Sequence, residues 1–224
     1  MIISCDTSSV VCSVAVTHGN QVLSTWEESG GQIHIEKLSP FLKEALAFCE
    51  LQAQDLEALA IAIGPGSFNG LRIGLATVKA LALTLDLPLI PISTTDALAY
   101  GLREQVQGPC RAVIFSHRNF VHYADYNLHP ESTPYADTYH YVKWDELSGK
   151  NIDAYFGTAD RGFADWLQGE GTAVANRFHE VKAQAAHVGL LAELKKNDPS
   201  PDIDELEPFY NATYEAKKWV PPQF

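Results

Sequence analysis

A glycine-rich loop between a short apolar strand and a long apolar helix is the feature that most constrains how this chain can fold. Residues 59–63 form a continuous apolar run, the loop spans residues 64–70, and residues 71–85 form a second, longer apolar segment. A strand that enters a helix through a tight glycine turn is typical of α/β proteins, in which helices cover the faces of a sheet. The unit therefore predicts an α/β fold.

The glycine loop has two interpretations that its spacing does not separate. Glycine lets backbone N–H groups approach an anion, and a helix N-terminus carries partial positive charge, so the loop could contact phosphate. It could equally be a purely structural turn. A P-loop is excluded because no Gly-Lys-Ser/Thr follows, and the GxGxxxG spacing differs from the Rossmann pattern. The candidate phosphate contacts lie in this loop and in the polar turn after the first strand: Asp6, Thr7, Ser8, Gly64, Pro65, Gly66, Ser67 and Gly70.

The helix after the loop is apolar on nearly every side. Arg72 and Lys79 are its only charged residues, so more than one of its faces must be covered. Small residues recur at helical spacing, with Gly70 and Gly74 followed by Ala76 and Ala80, which would let another helix approach closely. Either this helix is enclosed by its own domain, or it forms an interface with a partner chain.

Alternating and helical periodicities organise the rest of the first half. Three opening strands are predicted to form an antiparallel meander, followed by an amphipathic helix over residues 34–49. Pro40 lies inside that span, so the helix could instead begin near Ser39, with Pro40 in its first turn. A further strand and a helix capped by Ser93 or Thr94 complete this half. The predicted strands span residues 2–6, 11–16, 21–26, 59–63 and 89–92, and the last helix ends near residue 102.

A Gln-Gly-Pro linker at residues 107–109 predicts two lobes, residues 1–106 and 107–224. The second half again starts with strands and continues with helices, which suggests a duplicated α/β unit. A proline-rich closing segment, residues 197–224, is predicted as an extended tail across the body rather than a packed element. The predicted strands here span residues 112–115, 120–126 and 152–156, and the helices span residues 162–168 and 185–195.

The charge balance argues against direct nucleic-acid binding. The chain has 28 Asp and Glu against 16 Lys and Arg, a formal charge of −12, and its basic residues form no track that could follow phosphates. We find no run of about 18 apolar residues, and the first basic residue is Lys37, so neither a membrane span nor a signal peptide is predicted. We therefore expect a cytoplasmic protein.

The cysteines and histidines do not have the spacing of metal sites. The four cysteines lack a CxxC pair and are expected to be buried, reduced thiols. None of the eight histidines forms an HxxxH or HExxH pair, so we predict no metal site and no metalloprotease. His34 is interpreted as a helix cap or surface group rather than a ligand.

One motif resembles a known family. The segment GPGSFNGLRIG, residues 64–74, resembles the GPGSFTGLRIG motif of the TsaB (YeaZ) family, and three further features match in order. These are the opening Ile-x-x-Asp6-Thr7-Ser8, His34 with Leu38 and Pro40, and the Pro-Ile-Ser-Thr segment at residues 91–94. The resemblance extends over roughly residues 1–105.

The resemblance implies a fold and a function. The family belongs to a glycoprotease-like superfamily and shares the actin/hexokinase/Hsp70 (ASKHA) fold, two lobes that each hold a mixed sheet flanked by helices. The resemblance implies that the chain is a non-catalytic scaffold that pairs with TsaD. The ATPase TsaE joins this pair, and the assembly puts threonylcarbamoyl on the tRNA adenosine next to the anticodon. The implied TsaD contacts lie on the first two helices: His34, Leu38, Leu42, Gly70, Arg72, Ile73, Gly74, Thr77, Val78 and Leu81.

The resemblance also implies what the chain binds. We expect no catalytic residues and no cofactor on the isolated chain, ATP or ADP with Mg²⁺ at the partner interface, and contact with tRNA only through a partner. Two alternatives remain open: an independent ATP-dependent phosphotransferase of the ASKHA class that uses the Asp6 and Gly64 loops, and a homodimeric resting form.

Several positions depart from the family pattern. Asn69 replaces Thr in the glycine motif, and Ile35 stands where Ser commonly follows His. Residues 116–123 lack the carboxylates of the family's Asp-Ala-Arg-x-Gly-Glu-Val-Tyr segment, and Asn211-Ala212 replace Leu-Arg. Roles that the family gives to those charged residues are therefore not expected here.

Overall fold

The first half of the chain forms a five-stranded mixed sheet with helices on both faces. A computed structural model describes residues 1–31, 33–149, 151–158, 161–199 and 201–210. The first half contains β1 (Ile2–Asp6), β2 (Val11–His18), β3 (Gln21–Ser29), α1 (Ile33–Phe48), β4 (Ala58–Gly64), α2 (Phe68–Leu85), β5 (Leu89–Ser93) and α3 (Thr94–Leu102). The predicted strands and helices of this half are all present.

The strands of the first sheet follow the order β3-β2-β1-β4-β5. The first three strands pair antiparallel, as the predicted meander requires, whereas β4 and β5 add in parallel. Ser4, at the centre, lies opposite Ala15 of β2 and Ala60 of β4. The carboxyl ends of β1 and β4 therefore meet at one edge of the sheet, which brings the Asp6 turn next to the glycine loop.

Helix α1 corrects one prediction. It begins at Ile33 and passes through Pro40, so it does not start near Ser39. Proline lacks the N–H that would bond to the carbonyl one turn earlier, and this costs stability inside a helix. The first turn nevertheless forms because Ile33 and His34 are buried against the body of the lobe, and that burial favours the earlier start.

The second half forms another five-stranded sheet, in the order β10-β9-β6-β7-β8. Its strand β6 begins inside the segment predicted as a linker. Two of its strands (β8, β10) and the one-turn helix α5 were not predicted, because each is only three or four residues long. The elements are β6 (Gly108–Phe115), β7 (Phe120–Leu128), β8 (His140–Lys143), β9 (Ala154–Thr158), α4 (Arg161–Gln168), α5 (Thr172–Ala175), β10 (Phe178–Glu180) and α6 (Ala185–Lys195).

The two sheets have the same topology. In each, the first three strands form an antiparallel meander, and the fourth and fifth strands add in parallel on the other side of the first. The duplication predicted from the order of elements is thus present in the strand order. Two lobes, each a mixed sheet of this order flanked by helices, are the architecture of the ASKHA fold, and the predicted fold class is confirmed.

Helix α6 returns to the first sheet. It lies in the segment that the sequence assigns to the second lobe, yet Ser4 Oγ donates to Ala185 O at 2.7 Å and Ala185 N donates to Ser13 Oγ at 3.1 Å. Val188, Leu191 and Ala192 share a buried cluster with the strands of the first sheet. Helices α3 and α6 therefore cover one face of that sheet, while α1 and α2 cover the other.

Residues 201–210, here called the C-terminal strap, lie along α2. Ile203 and Leu206 pack against the core under α1 and α2, and Lys79 Nζ donates to Asp204 O at 3.3 Å and to Leu206 O at 3.1 Å. The strap contains no helix or strand, as predicted, but its apolar side chains do pack, which corrects that part of the prediction. Residues 211–224 of the predicted tail lie outside the described residues.

Helix α2 also bears on the expectation that no membrane span exists. By length and composition alone it is apolar enough to cross a membrane, and 33% of the stretch is buried inside the protein. Its inner side chains, such as Leu71, Leu75 and Val78, pack into the first lobe, so we interpret it as a helix of that lobe. The outer side of α2 keeps an apolar surface that no described residue covers.

Candidate functional site: the loop edge and the interlobe cavity

The glycine loop is packed directly onto the turn that follows β1. Ser67 N donates to Ser8 O at 2.7 Å, and a Cβ atom added at Gly66 would lie 2.3 Å from the same oxygen. Only a glycine lets the two backbones approach so closely. This contact supports the structural interpretation of Gly66, because the glycine is required by a neighbouring loop of the same chain.

The next two glycines, Gly70 and Gly74, pack against Thr7. Its Oγ1 donates to Gly70 O at 2.8 Å, and an added Cβ would lie 2.0 Å from Thr7 O at Gly70 and 2.1 Å from Thr7 Oγ1 at Gly74. The small-residue spacing of α2 therefore accommodates β1 and its turn. It does not accommodate a partner helix at these two positions.

Asp6 lies at the end of β1 and is fully enclosed. Its Oδ1 accepts hydrogen bonds from Ser8 N at 2.8 Å and Ser8 Oγ at 2.6 Å, while Oδ2 is buried without a partner among the described residues. Burial raises the pKa of Asp6 to about 6, although the bonds from Ser8 act in the opposite direction. The Asp6 side chain is buried and does not line a cavity among the described residues.

The strap closes the other end of the loop. Phe209 N donates to Ile63 O at 2.7 Å, and a Cβ at Gly64 would lie 2.3 Å from Phe209 O. Gly64 also adopts a φ of +115°, which disfavours any side chain, and the peptide bond to Pro65 is cis. Gly64 therefore lies directly under the strap, where a side chain would collide with Phe209.

A cavity of about 820 Å³ opens between the two lobes beside these loops. Tyr210 of the strap lies at its rim. The wall from the first lobe consists of Ser8, Ser9, Val10, Gly66, Ser67 and Phe68. The wall from the second lobe consists of Ile114, Phe115, Ser116, His117, His122 and Thr158. Of the predicted phosphate contacts, three line the cavity, namely Ser8, Gly66 and Ser67, whereas Asp6, Thr7, Gly64, Pro65 and Gly70 lie behind its wall.

Among the described residues, no Asp, Glu, Lys or Arg lines this cavity. The nearby cation Arg72 is held elsewhere, with its guanidinium carbon 4.0 Å from the Phe68 ring centroid and its Nε donating to Tyr210 Oη at 3.0 Å. Burial lowers the pKa of His122 to about 4, so this ring is neutral at physiological pH. The sequence did not identify the second-lobe wall, because its residues lack the family's carboxylates and carry no motif of their own.

His34 has a structural role that the sequence did not predict. The side chain is 7% exposed, and its Nε2 lies 2.9 Å from Ser9 O, so Nε2 carries the proton and donates to that carbonyl. Burial lowers the pKa of His34, which keeps the ring neutral. His34 is therefore a buried link between α1 and the Asp6 turn, not a surface group.

The predicted partner contacts separate into two sets. Six of them are buried inside the lobe, namely His34, Leu38, Leu42, Gly70, Gly74 and Val78, so a partner cannot reach them. The other four keep exposed surface: Arg72, Ile73, Thr77 and Leu81. Ala76 and Ala80, which the small-residue spacing had marked as a place for another helix to approach, are exposed on the outer side of α2 together with Leu83, which the sequence did not single out. Helical periodicity alone could have grouped them, but not shown which side faced outward.

Possible metal ligands are not clustered in the described part of the chain. No group of three or more His, Cys, Asp or Glu side chains could hold an ion there. All four cysteines are free thiols. Cys5, Cys12 and Cys110 are buried, as expected, whereas Cys49, which directly follows α1, is only partly buried, and this corrects the prediction for that residue. Burial raises the pKa of each of these three thiols, which keeps them protonated and inert.

Comparison with known proteins assigns the family. A family model described as "TsaD: tRNA N6-adenosine threonylcarbamoyltransferase" matches residues 25–199, well over half of the chain. The chain belongs to this family. Its relatives include the tRNA threonylcarbamoyladenosine biosynthesis protein TsaB of Escherichia coli, 26% identical over 98% of both chains. TsaB of Haemophilus influenzae is 36% identical over 46% of this chain and 43% of its own length. These relatives make the chain a TsaB (YeaZ) member, as the glycine motif predicted.

The structure of YeaZ from Pseudomonas aeruginosa has the same fold. It superposes with a TM-score of 0.79 over 93% of this chain and 98% of its own, at 22% sequence identity. At this identity the similarity concerns the fold alone. The shared fold includes the second lobe, in which residues 116–123 contain no Asp or Glu.

Proposed function

We propose that this TsaB-family chain acts in tRNA threonylcarbamoyladenosine biosynthesis as a non-catalytic subunit that pairs with a TsaD-type transferase. Its full-length similarity to a protein named for that biosynthesis supports the process, and the match to a model named for the transferase supports the partner. The observation that carries the proposed role is the exposed apolar side of α2, which no described residue covers.

The loop geometry supports a non-catalytic role. In active ASKHA proteins a carboxylate after the first strand acts through metal and water, whereas Asp6 here is buried and bound by Ser8. The cavity beside it offers no charged side chain among the described residues to stabilise a transferring phosphate. An independent phosphotransferase therefore has less support than a scaffold.

The outer side of α2 is the proposed docking surface. At 100° per residue, Ala76, Ala80 and Leu83 project to one side, opposite the buried Leu71, Leu75 and Val78. Helix α1 lies along one flank and the C-terminal strap along the other. Leu83 is 60% exposed, and the two alanines would let a partner helix approach closely. We call these three residues the α2 stripe.

The remaining partners are part of the same proposal. A TsaE-like ATPase joins the pair, ATP or ADP with Mg²⁺ binds at the partner interface, and tRNA is reached only through the TsaD-type chain. A homodimer would use the α2 stripe by two-fold symmetry and would dissociate when the partner is added. All of this takes place in the cytoplasm.

Charged residues on the α2 stripe test the pairing. We expect the double variant Ala76→Arg, Ala80→Arg to fold normally, because both positions are exposed, and to weaken binding to the TsaD-type subunit of the same organism by about 100-fold or more, since two charges would be buried without partners. Co-purification and calorimetric titration measure this. Ala173→Arg, an equally exposed alanine in α5, is the matched control.

Unchanged pairing by the stripe variant would show that the docking surface is wrong. Gly74→Arg cannot serve as the test, because Gly74 faces Thr7 and the arginine would disrupt the lobe.

The catalytic alternative is tested separately by incubating the isolated chain with ATP and Mg²⁺. Turnover that Asp6→Asn abolishes would overturn the scaffold proposal.

A further inference from the structure

Helix α3 lies between the two lobes and packs on both sheets. Ala97 and Tyr100 belong to the buried cluster of the first sheet, whereas Leu98, Ala99 and Leu102 belong to the buried cluster of the second. The first turn of this helix therefore lies where the two lobes meet, and a polar side chain in that turn can join them.

Asp96, in the first turn of α3, is buried and bonded to the second lobe. The residue is 2% exposed, and its Oδ1 accepts a hydrogen bond from Tyr126 Oη of β7 at 2.7 Å. The main-chain N–H of Ala136 also donates to this carboxyl group. Ala136 belongs to residues 129–139, here called the β7–β8 connection, which contains no helix or strand. One carboxyl group thus holds a strand and a long connection of the second lobe against a helix of the first.

The same group of side chains reaches the C-terminal strap. Tyr139, at the end of the β7–β8 connection, lies edge-on against Phe209 of the strap, with ring centroids 4.9 Å apart. The Tyr139 phenol interacts with the hydroxyls of Ser93 and Thr95, beside Asp96. Because Phe209 N donates to Ile63 O, the strap is supported by both lobes at this point.

The carboxyl group of Asp96 is buried without a directly bonded cation among the described residues. The titratable and charged groups that act on it are Tyr126 from β7, Tyr139 from the β7–β8 connection and Lys195 from α6. Burial raises the pKa of both phenols, so they are uncharged near neutral pH. Burial also raises the pKa of Asp96 to about 6, against the bond from Tyr126 and the positive charge of Lys195, which lower it.

We propose that Asp96 is a pH-sensitive latch between the lobes, which is tightest while its carboxyl group is protonated and weakens when the group ionises. In the released arrangement the group is solvated and has the ordinary aspartate pKa of 3.8, so the extra stability of the latch is complete below about pH 4 and is lost as the pH rises to about 6. This difference in pKa corresponds to a fall of about 100-fold in the ratio of fastened to released protein. Release frees the β7–β8 connection and removes the support that Tyr139 gives the strap. The latch is independent of the proposed pairing, because all of its groups belong to this chain.

Hydrogen exchange at the amides of Ala136 and Phe209, measured by NMR on the full chain, tests the latch. After correction for the intrinsic exchange rate, we expect the protection of both amides to fall by up to about 100-fold from about pH 4 to about pH 6.5. Asp96→Asn stays neutral, and its amide oxygen can still accept both bonds, so its protection should stay high over the whole range. Asp137→Asn, an exposed aspartate in the same connection, is the matched control and should respond like the unaltered protein.

Tyr126→Phe is a second test that leaves the carboxyl group in place. Loss of the hydroxyl removes a bond that favours the charged form, so protection at about pH 6.5 should be about tenfold lower and should fall more steeply with pH. The proposal is overturned if the protection of Ala136 does not change with pH, if Asp96→Asn keeps the response of the unaltered protein, or if Asp6→Asn, which alters the other buried aspartate, removes that response. A response at Ala136 without one at Phe209 would overturn the link to the strap.

Discussion

At the scale of single residues, Asp6 shows how the loop edge is stabilised without a ligand. Its carboxyl group has two bonds from Ser8 on one oxygen and no partner for the other among the described residues. Burial without a cation favours the protonated form, which is why its pKa is raised to about 6. Asp6 is therefore part of the buried structure of the lobe.

The raised pKa of Asp6 predicts a pH dependence of stability. The folded pKa of about 6 lies above the ordinary aspartate pKa of 3.8, so the native state holds the extra proton between these values and its stability falls as the pH rises from about 4 to about 6. We expect Asp6→Asn to remove this loss, which amounts to about 3 kcal/mol across that window. Urea unfolding at several pH values measures it, with the exposed Asp137→Asn as control. Equal pH slopes for Asp6→Asn and the unaltered protein would contradict the assignment.

The contact between Gly74 and Thr7 predicts that a side chain at residue 74 lowers the stability of the fold. Gly74→Ala should destabilise the fold by about 2 kcal/mol, because its Cβ would lie 2.1 Å from Thr7 Oγ1. Adding Thr7→Ala, which removes that oxygen, should recover part of the loss, so the two changes would be less than additive. Thermal and urea unfolding provide the measurement. Gly31→Ala, where no atom lies within 4 Å, is the matched control, and an equally stable Gly74→Ala variant would refute the contact.

At the scale of elements, the C-terminal strap decides how much of α2 stays exposed. Lys79 and Arg72 lie seven residues apart on one flank of the helix, and both bind the strap. Helical periodicity alone places these two cations on one side of α2, because they are seven residues apart. It could not predict that residues 201–210 would cover that side, because the contact joins segments more than a hundred residues apart.

Releasing the strap should be measurable at its amides. We expect Lys79→Met to speed hydrogen exchange at Leu206 and Phe209 and to cost about 1 kcal/mol of stability, since the two carbonyls lose a charged donor. Lys43→Met, an exposed lysine of α1, serves as the comparison variant. Unaltered exchange in the strap would mean that Ile203 and Leu206 alone hold it in place.

Short or locally unfavourable elements were the ones that sequence patterns missed. The strands β8 and β10 are too short to show periodicity, and α1 contains a proline that argues for a later start. By contrast, β1, β2, β4 and α2 have long apolar patterns bounded by turns, and all were predicted. A long apolar pattern was therefore sufficient to predict an element from the sequence, whereas burial in the tertiary structure determined the short strands and the start of α1.

At the scale of the whole molecule, the formal charge of −12 disfavours binding of polyanions by the isolated chain. A polyanion such as tRNA binds through neutralised phosphates, and an acidic surface without a basic track repels it. This fits a subunit that contributes to tRNA modification through another chain.

The isolated protein should accordingly show no tRNA affinity at physiological salt. We expect fluorescence anisotropy with labelled tRNA to give no saturation at protein concentrations up to about 100 μM, the weak end of ordinary non-specific binding. The complex with the TsaD-type subunit is the positive comparison. Micromolar binding by the isolated chain would disprove this prediction.

The sequence by itself determined the α/β class, the opening meander, the strand–glycine loop–helix unit and the family, because periodicity and motif spacing are local properties of the chain. Only the tertiary structure decided what each glycine contacts, that α6 returns to the first sheet, and that the α2 stripe faces outward while Gly70 and Gly74 face Thr7. Periodicity shows which residues share a side of a helix. The packing of distant segments determines what that side meets.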